Sequence, residues 1–135
     1  MVKVSITYQG RLRCQAEHGP SGVNLQTDAP VDNHGKGELF SPTDLVATAL
    51  GACIATMCGL VAEDKGWDLQ GLRVEVVKEM SSNAPRRIVR LAAEVWPPRA
   101  LAPADRALLE QSARTCPVAN SLHPAIEVPI VFHWP

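Results

Sequence analysis

The sequence lacks three features that would each point to a particular class of protein: an excess of charge, an apolar leader and a paired-cysteine motif. The net charge is −1 over 135 residues, which gives no electrostatic reason to expect nucleic acid or an acidic membrane as a partner. No apolar run is expected to approach the length of a membrane span, and the N-terminus lacks the apolar core and cleavage site of a signal peptide. We therefore expect a cytoplasmic protein with one domain over residues 1–135.

The four cysteines are spaced unlike a structural metal site or a CxxC redox pair. They are Cys14, Cys53, Cys58 and Cys116. A structural disulfide is not expected in a reducing compartment. A metal site built from Cys53, Cys116 and His123 has no supporting signature in the spacing. We therefore expect no metal or cofactor, and thiol chemistry rather than a structural role for any functional cysteine.

The first forty residues predict strands followed by a loop. Apolar and polar residues alternate from Val2 to Gln9, which is typical of a half-buried strand. Residues 12–16 and 23–27 are predicted as second and third strands. The proline and glycines of residues 28–40 predict a loop.

A long helix is the clearest local prediction. Ser41 is placed as its N-cap, with Pro42 at the first helical position and Asp44 at the third. Gly66 is predicted to end it. Apolar residues recur at helical spacing: Val46, Ala49, Leu50, Cys53, Met57, Leu60 and Val61. Few charges interrupt the helix, so we infer that a dimer packs around it.

The remaining residues complete an α+β pattern in the order βββ-α-ββ-α-β, with a mostly antiparallel sheet. Its predicted elements are strands at 72–78 and 88–96, a helix at 103–114, a possible helical turn at 117–122 and a strand at 128–134.

Cys53 and Cys116 each have two interpretations. Cys53 lies on the apolar stripe of the long helix, where a buried free cysteine commonly serves as a small core residue. Cys116 precedes Pro117 and would be the N-cap of a following helix, where backbone N–H groups favour a thiolate. A packing or capping role explains each residue equally well, and the spacing alone does not show that the two meet.

Several segments resemble motifs of the OsmC/Ohr family, and most closely its general OsmC-like branch. The segments SPTDL at 41–45 and ALGAC at 49–53 resemble the central-helix motif of that family. CPV at 116–118 and SLHP at 121–124 resemble its second-cysteine motif, and the order of the motifs also matches. The resemblance covers nearly the whole chain, including the TDAP loop at 27–30 and the closing strand.

The resemblance implies an OsmC-like fold, an intertwined homodimer and two active sites at the subunit interface. It implies that Cys53 is the peroxidatic cysteine and Cys116 the resolving cysteine of a peroxidase for organic hydroperoxides. A dithiol, which family analogy places on a lipoylated protein, would be the reductant. The family also uses an Arg to stabilise the thiolate and a carboxylate to orient that Arg.

The supporting charges depart from the family pattern. Thr43 occupies the position of the family Glu, and the nearest acid is Asp44, for which a capping-box role is the alternative. Arg13 is the first candidate for the Arg, and a surface role is the alternative for each candidate. The other candidates for this Arg are Arg11, Arg86 and Arg87. The two remaining cysteines, Cys14 and Cys58, are interpreted as packing residues.

A second function remains open at this stage. The same dimer could bind a small apolar ligand without significant peroxidase activity. The missing Glu at position 43 and the choice among several arginines favour this alternative.

Overall fold

Six strands form two separate three-stranded sheets, and three α-helices accompany them. The structure is a computed structural model that describes residues 1–135. The chain divides into two compact units, Met1–Val46 and Ala47–Pro135. The α+β class is confirmed, with the order βββ-α-ββ-αα-β because the turn after Cys116 forms a helix of its own.

The first unit contains an antiparallel sheet in the order β1-β2-β3. Its strands are β1 at Val4–Gly10, β2 at Arg13–His18 and β3 at Asn24–Asp28. A two-residue turn joins β1 to β2, and a single 3-10 turn lies at Val31–Asn33. The prediction that β1 is half-buried is wrong for the single chain, because both of its faces are exposed.

The second unit contains the other sheet, in the order β4-β5-β6. β4 (Arg73–Met80) is antiparallel to β5 (Ile88–Trp96), whereas β6 (Ile130–Phe132) is parallel to β5. The largest fully buried apolar side chains of this unit are Leu50, Ile54, Leu91, Val95 and Leu109.

The helices follow the predicted bounds closely. They are α1 at Pro42–Lys65, α2 at Pro103–Arg114 and α3 at Pro117–Ser121. Gly66 follows α1 with a φ of 70°, the left-handed conformation that favours glycine at a helix end.

The buried face of α1 differs from the predicted stripe. Its buried residues are Ala47, Leu50, Ile54, Cys58 and Ala62. Cys53 is half-buried and Leu60 is exposed. The helix is apolar on most of its circumference, so the sequence pattern does not determine which side faces the core.

The expectation that no segment approaches a membrane span is wrong. By length and composition, α1 is long and apolar enough to cross a membrane. It has 24 residues, and its most apolar stretch has a mean hydropathy of 2.1. A single helix of this kind does not establish a membrane location, because the core helix of a soluble protein has the same length and composition.

Candidate functional site

Cys116 occupies the N-cap of α3, as the sequence indicated. Pro117 begins the helix, and the Cys116 Sγ accepts a hydrogen bond of 3.4 Å from the Ala119 N–H. The residue is fully buried. The connection between α2 and α3 therefore holds this sulfur in a defined position away from solvent.

α1 approaches β4 closely at Gly51, two residues before Cys53. A Cβ atom built at Gly51 would lie 3.1 Å from the Val76 Cγ2 atom and 3.7 Å from the Val74 Cγ1 atom. The separation from Val76 is tighter than ordinary van der Waals contact, so the absence of a side chain at Gly51 lets helix and strand approach closely. Cys53 lies two residues further along the same helix.

The structure brings the two predicted cysteines together. The Cys53 side chain is a direct neighbour of the Cys116 thiol, and neither residue is in a disulfide. The pKa of Cys116 is raised, first by burial and then by the neighbouring Cys53 side chain. The backbone N–H groups of Ala119 and Val118 act in the opposite direction. Two neighbouring free thiols on separate elements are the groups that a thiol–disulfide cycle would use.

Arg13, the first candidate for the supporting Arg, contacts two carboxylates in the first unit. Its Nη2 atom lies 3.7 Å from Asp28 Oδ2 and also forms an ion pair with Glu38. Asp28 Oδ2 accepts a hydrogen bond of 3.2 Å from the Glu38 N–H. Asp28 is fully buried, and its Oδ1 atom has no hydrogen-bond partner.

Sequence reasoning missed Asp28 and Glu38. Arg13 and Asp28 are direct partners in the β2–β3 register, so this pair was accessible to a prediction that aligned the two strands. Glu38 lies in the loop before α1, and no local pattern links it to Arg13.

Asp44 forms the capping box that was its alternative interpretation. Its Oδ2 atom accepts a hydrogen bond of 2.8 Å from the Ser41 N–H, and its own N–H donates to Ser41 Oγ at 3.1 Å. This reciprocal arrangement satisfies two backbone donors at the start of α1.

The other candidates occupy different parts of the chain. Arg11 lies in the β1–β2 turn, whereas Arg86 and Arg87 lie in the exposed β4–β5 connection. Cys58 is a packing residue as predicted: it is fully buried, and burial raises its pKa to about 11. His123 lies in a loop, where its Nδ1 atom accepts a hydrogen bond from the Ala125 N–H.

Comparisons with known proteins agree on one family. The model of the family described as OsmC-like protein matches residues 35–131. A crystal structure from Psychrobacter arcticus, of a protein provisionally named an osmotic stress induced and detoxification response protein, is 42% identical. It superposes with a TM-score of 0.93 over 98% of this chain and 96% of that chain. No match was found among proteins with curated descriptions.

More distant structures share the fold alone. The organic hydroperoxide resistance protein OsmC of Legionella pneumophila is 16% identical, with a TM-score of 0.78 over 98% of this chain and 96% of that chain. The organic hydroperoxide resistance protein OhrB of Bacillus subtilis is also 16% identical, with a TM-score of 0.70 over 98% of each chain. Because the family model covers most of the sequence and the Psychrobacter protein is 42% identical over nearly its whole length, this chain belongs to the OsmC-like protein family.

Proposed function

We propose that the protein is a cytoplasmic, homodimeric thiol peroxidase that reduces organic hydroperoxides to alcohols with Cys53 and Cys116. The observation that carries the proposal is the proximity of the two thiols, which lie on elements far apart in sequence. The names of distant relatives with the same fold, the organic hydroperoxide resistance proteins, support the same chemistry.

In the first step, the Cys53 thiolate attacks the outer oxygen of the hydroperoxide. The O–O bond breaks, the sulfur is oxidised to sulfenic acid and the alkoxide takes a proton to leave as an alcohol. Cys53 is suited to this role because it is half-buried and therefore closer to solvent than the fully buried Cys116.

In the second step, the Cys116 sulfur attacks the Cys53 sulfenic acid, so a disulfide forms and water leaves. Burial raises the pKa of Cys116, so this thiol favours its protonated form before the attack. An external dithiol then reduces the disulfide and is itself oxidised. By family analogy, a lipoylated protein would supply that dithiol.

Arg13 is proposed to stabilise the thiolate and bind the peroxide oxygen. An Arg suits this task because it remains charged at all working pH values. Asp28 and Glu38 contact Arg13, so they are the carboxylates proposed to orient it. Asp44 is the alternative carboxylate, carried over from the family pattern.

A homodimer is proposed because the first sheet exposes an apolar face. Val4, Ile6 and Tyr8 alternate along β1, and their side chains are 52%, 63% and 63% exposed. Soluble monomers rarely expose contiguous apolar surface of this kind. A second copy of the chain is the partner proposed to cover it.

The test is consumption of cumene hydroperoxide with dithiothreitol or dihydrolipoamide as reductant. We expect turnover by the wild type, none by Cys53→Ser, and accumulation of a Cys53 sulfenic acid in Cys116→Ser, trapped by dimedone and seen by mass spectrometry. Cys14→Ser is the matched control and should retain wild-type turnover. Lack of turnover in the wild type would refute the peroxidase, and turnover in Cys53→Ser would refute the role of that residue.

Binding of a small apolar ligand is the second candidate, and one observation favours it. A cavity of about 370 Å³ lies between α1 and residues 67–72, lined in part by Ala55, Trp67 and Leu69. Trp67 fluorescence would report an occupant. A ligand that binds wild type and Cys53→Ser equally, in a protein with no peroxide turnover, would favour this function over the peroxidase.

A further inference from the structure

The cavity of about 370 Å³ beside the end of α1 is lined by groups of two chemical kinds. One set is small or apolar: Ala55, Gly59, Ala62, Leu69 and Leu72. The other set contains the carboxylates of Glu63 and Asp68 and the indole of Trp67. No Lys or Arg and none of the four cysteines lines the cavity. Its volume lies within the range of about 300–1,000 Å³ that small-molecule sites have.

The charge of this lining is negative and is not neutralised within it. The Glu63 side chain forms neither a hydrogen bond nor an ion pair. Asp68 accepts a hydrogen bond of 2.9 Å at Oδ1 from the Gln70 N–H, which leaves its charge without a cation. The last carbonyl groups of α1 add partial negative charge. Lys65, the only cation of residues 62–72, does not line the cavity.

Trp67 differs from the other two tryptophans because no cation lies over its ring. The Arg73 Cζ atom lies 3.8 Å from the centre of the Trp96 ring, and the Arg106 Cζ atom lies 5.3 Å from that of Trp134. Trp67 has neither a cation nor another aromatic ring against it. A cation placed against its ring would complete the arrangement that the other two tryptophans have.

Backbone hydrogen bonds hold the loop that borders the cavity. The Trp67 N–H donates to the Ala62 carbonyl at 2.8 Å, and the Leu72 N–H donates to the Leu69 carbonyl at 3.0 Å. A Cβ atom built at Gly59 would meet nothing within 4 Å, so the space beside α1 is open. A ligand would therefore enter a preformed site, and a preformed site lowers the entropic cost of binding.

We propose that this cavity binds a small organic cation, an ammonium group that carries short alkyl substituents. An indole attracts a cation that lies against its face, more strongly than other aromatic rings do. Glu63 and Asp68 would neutralise the charge, while the alkyl groups would contact Leu69 and the small residues of α1. The site is independent of the thiol pair and of the proposed peroxidase, so Cys53→Ser should bind the cation as the wild type does.

The experiment is titration of the ¹⁵N-labelled full-length protein with tetramethylammonium chloride and, separately, with tert-butanol, each at constant ionic strength. The alcohol has a similar branched shape without the charge. We expect saturable shifts for the cation that centre on residues 55–72 and on the Trp67 indole N–H, with an affinity for the alcohol at least tenfold weaker. Shifts that do not saturate, or that spread over all surface carboxylates, would overturn the proposal. Equal affinity for the alcohol would also overturn it, because the cavity would then select for shape alone.

Neutral variants separate the cavity from general surface charge. Glu63→Gln and Asp68→Asn should each weaken binding of tetramethylammonium by about threefold or more, since each removes one partly screened charge. Asn at position 68 keeps the Oδ1 acceptor for the Gln70 N–H. Asp64→Asn removes the same charge next to Glu63 from a residue that does not line the cavity, and it should leave the affinity unchanged. An equal loss in Asp64→Asn would contradict a specific site.

Trp67→Leu and Trp67→Phe test the aromatic face. Leu keeps an apolar side chain without a ring, so we expect binding about tenfold weaker, whereas Phe keeps a ring and should lose less. Wild-type affinity in Trp67→Leu would overturn the proposal. If that variant does not fold, Trp67→Phe and the two carboxylate variants decide the question.

Discussion

At the scale of single residues, Cys58 and Cys116 show how burial changes a thiol. Both are fully buried and both have a raised pKa, but only Cys116 contacts another thiol. Burial favours the neutral form, so Cys58 is chemically inert on its side of α1. The difference between a packing cysteine and a reactive pair is thus set by the neighbouring side chain.

The raised pKa of Cys58 predicts a pH dependence of stability. In the unfolded chain the thiol ionises near its ordinary value of 9.0, whereas in the folded protein it ionises at about 11. Between these values the unfolded state has fewer bound protons, so stability falls as pH rises. We expect the free energy of unfolding to fall by about 2 kcal/mol across this range. Urea unfolding at pH 8 to 11 measures it.

Cys58→Ala is the control for this pH effect. Its absolute stability is lower because a cavity is left, but it should lose part of the alkaline decline since it has no thiol to ionise. A decline identical to that of the wild type would assign the effect to other groups, such as the lysines.

Asp28 and Asp44 can be distinguished by substitution. Asp28→Asn removes the buried carboxylate beside Arg13, so we expect kcat/KM for cumene hydroperoxide to fall by about tenfold or more. Asp44→Ala breaks the capping box, so we expect a loss of about 1 kcal/mol in stability with kcat/KM near that of the wild type. The two variants are compared by steady-state kinetics and urea unfolding.

The reverse pattern would assign the Arg-orienting role to Asp44. Glu38→Gln adds a graded comparison, because Glu38 is 56% exposed and Asp28 only 1%. A smaller effect is expected at Glu38, since solvent screens an exposed charge.

At the scale of elements, local signals determined most boundaries. The sequence predicted β5 and α2 with the bounds that the structure has, because prolines and turn residues delimit both. The start of α1 was also predictable from its cap. The buried face of α1 was not, because apolar residues cover most of its circumference. The parallel pairing of β6 with β5 was not predictable either, since it joins segments separated by two helices.

The contacts of the candidate site follow the same division. Cys53 and Cys116 were identified from motifs, but their proximity depends on packing between α1 and the α2–α3 connection. Predicting the contact of Asp28 with Arg13 requires the register between β2 and β3. Predicting the contact of Glu38 requires the path of the loop before α1. Sequence reasoning therefore found the thiols and missed the carboxylates that contact Arg13.

Two glycines of α1 form a matched pair for testing how the helix is held. An added Cβ at Gly51 would lie 3.1 Å from Val76 Cγ2, whereas one at Gly59 meets nothing within 4 Å. Gly59→Ala should raise stability by about 0.5–1 kcal/mol through helix propensity. Gly51→Ala should lose that gain because the methyl group crowds β4. Urea unfolding of both variants tests the difference.

A larger substitution at Gly51 tests the geometry of the thiols. If close packing at Gly51 positions Cys53, Gly51→Val should also slow the peroxide-driven formation of the Cys53–Cys116 disulfide, followed by loss of free thiols. Disulfide formation at the wild-type rate in Gly51→Val would show that the approach of α1 to β4 does not control the site.

At the scale of the whole molecule, the exposed apolar face of the first sheet is the surface on which the proposed homodimer is tested. Ile6 lies opposite Ala16 in the β1–β2 register, and Ala16 lies opposite Leu25 in the β2–β3 register, so the apolar face extends across three strands. With a chain mass of 14.6 kDa, light scattering should give about twice that value for the proposed homodimer.

Charge placed on this face should break the dimer, whereas charge on the opposite face of the same strand should not. Successive side chains of a strand point to opposite faces, so Ile6→Lys places an ammonium in the proposed interface and Thr7→Lys places one outside it. We expect Ile6→Lys to weaken association by at least tenfold, measured by sedimentation at several concentrations, with Thr7→Lys unchanged. If both variants remain dimers, the partner covers another surface, and α1, which exposes Leu60 at 55%, becomes the next face to test.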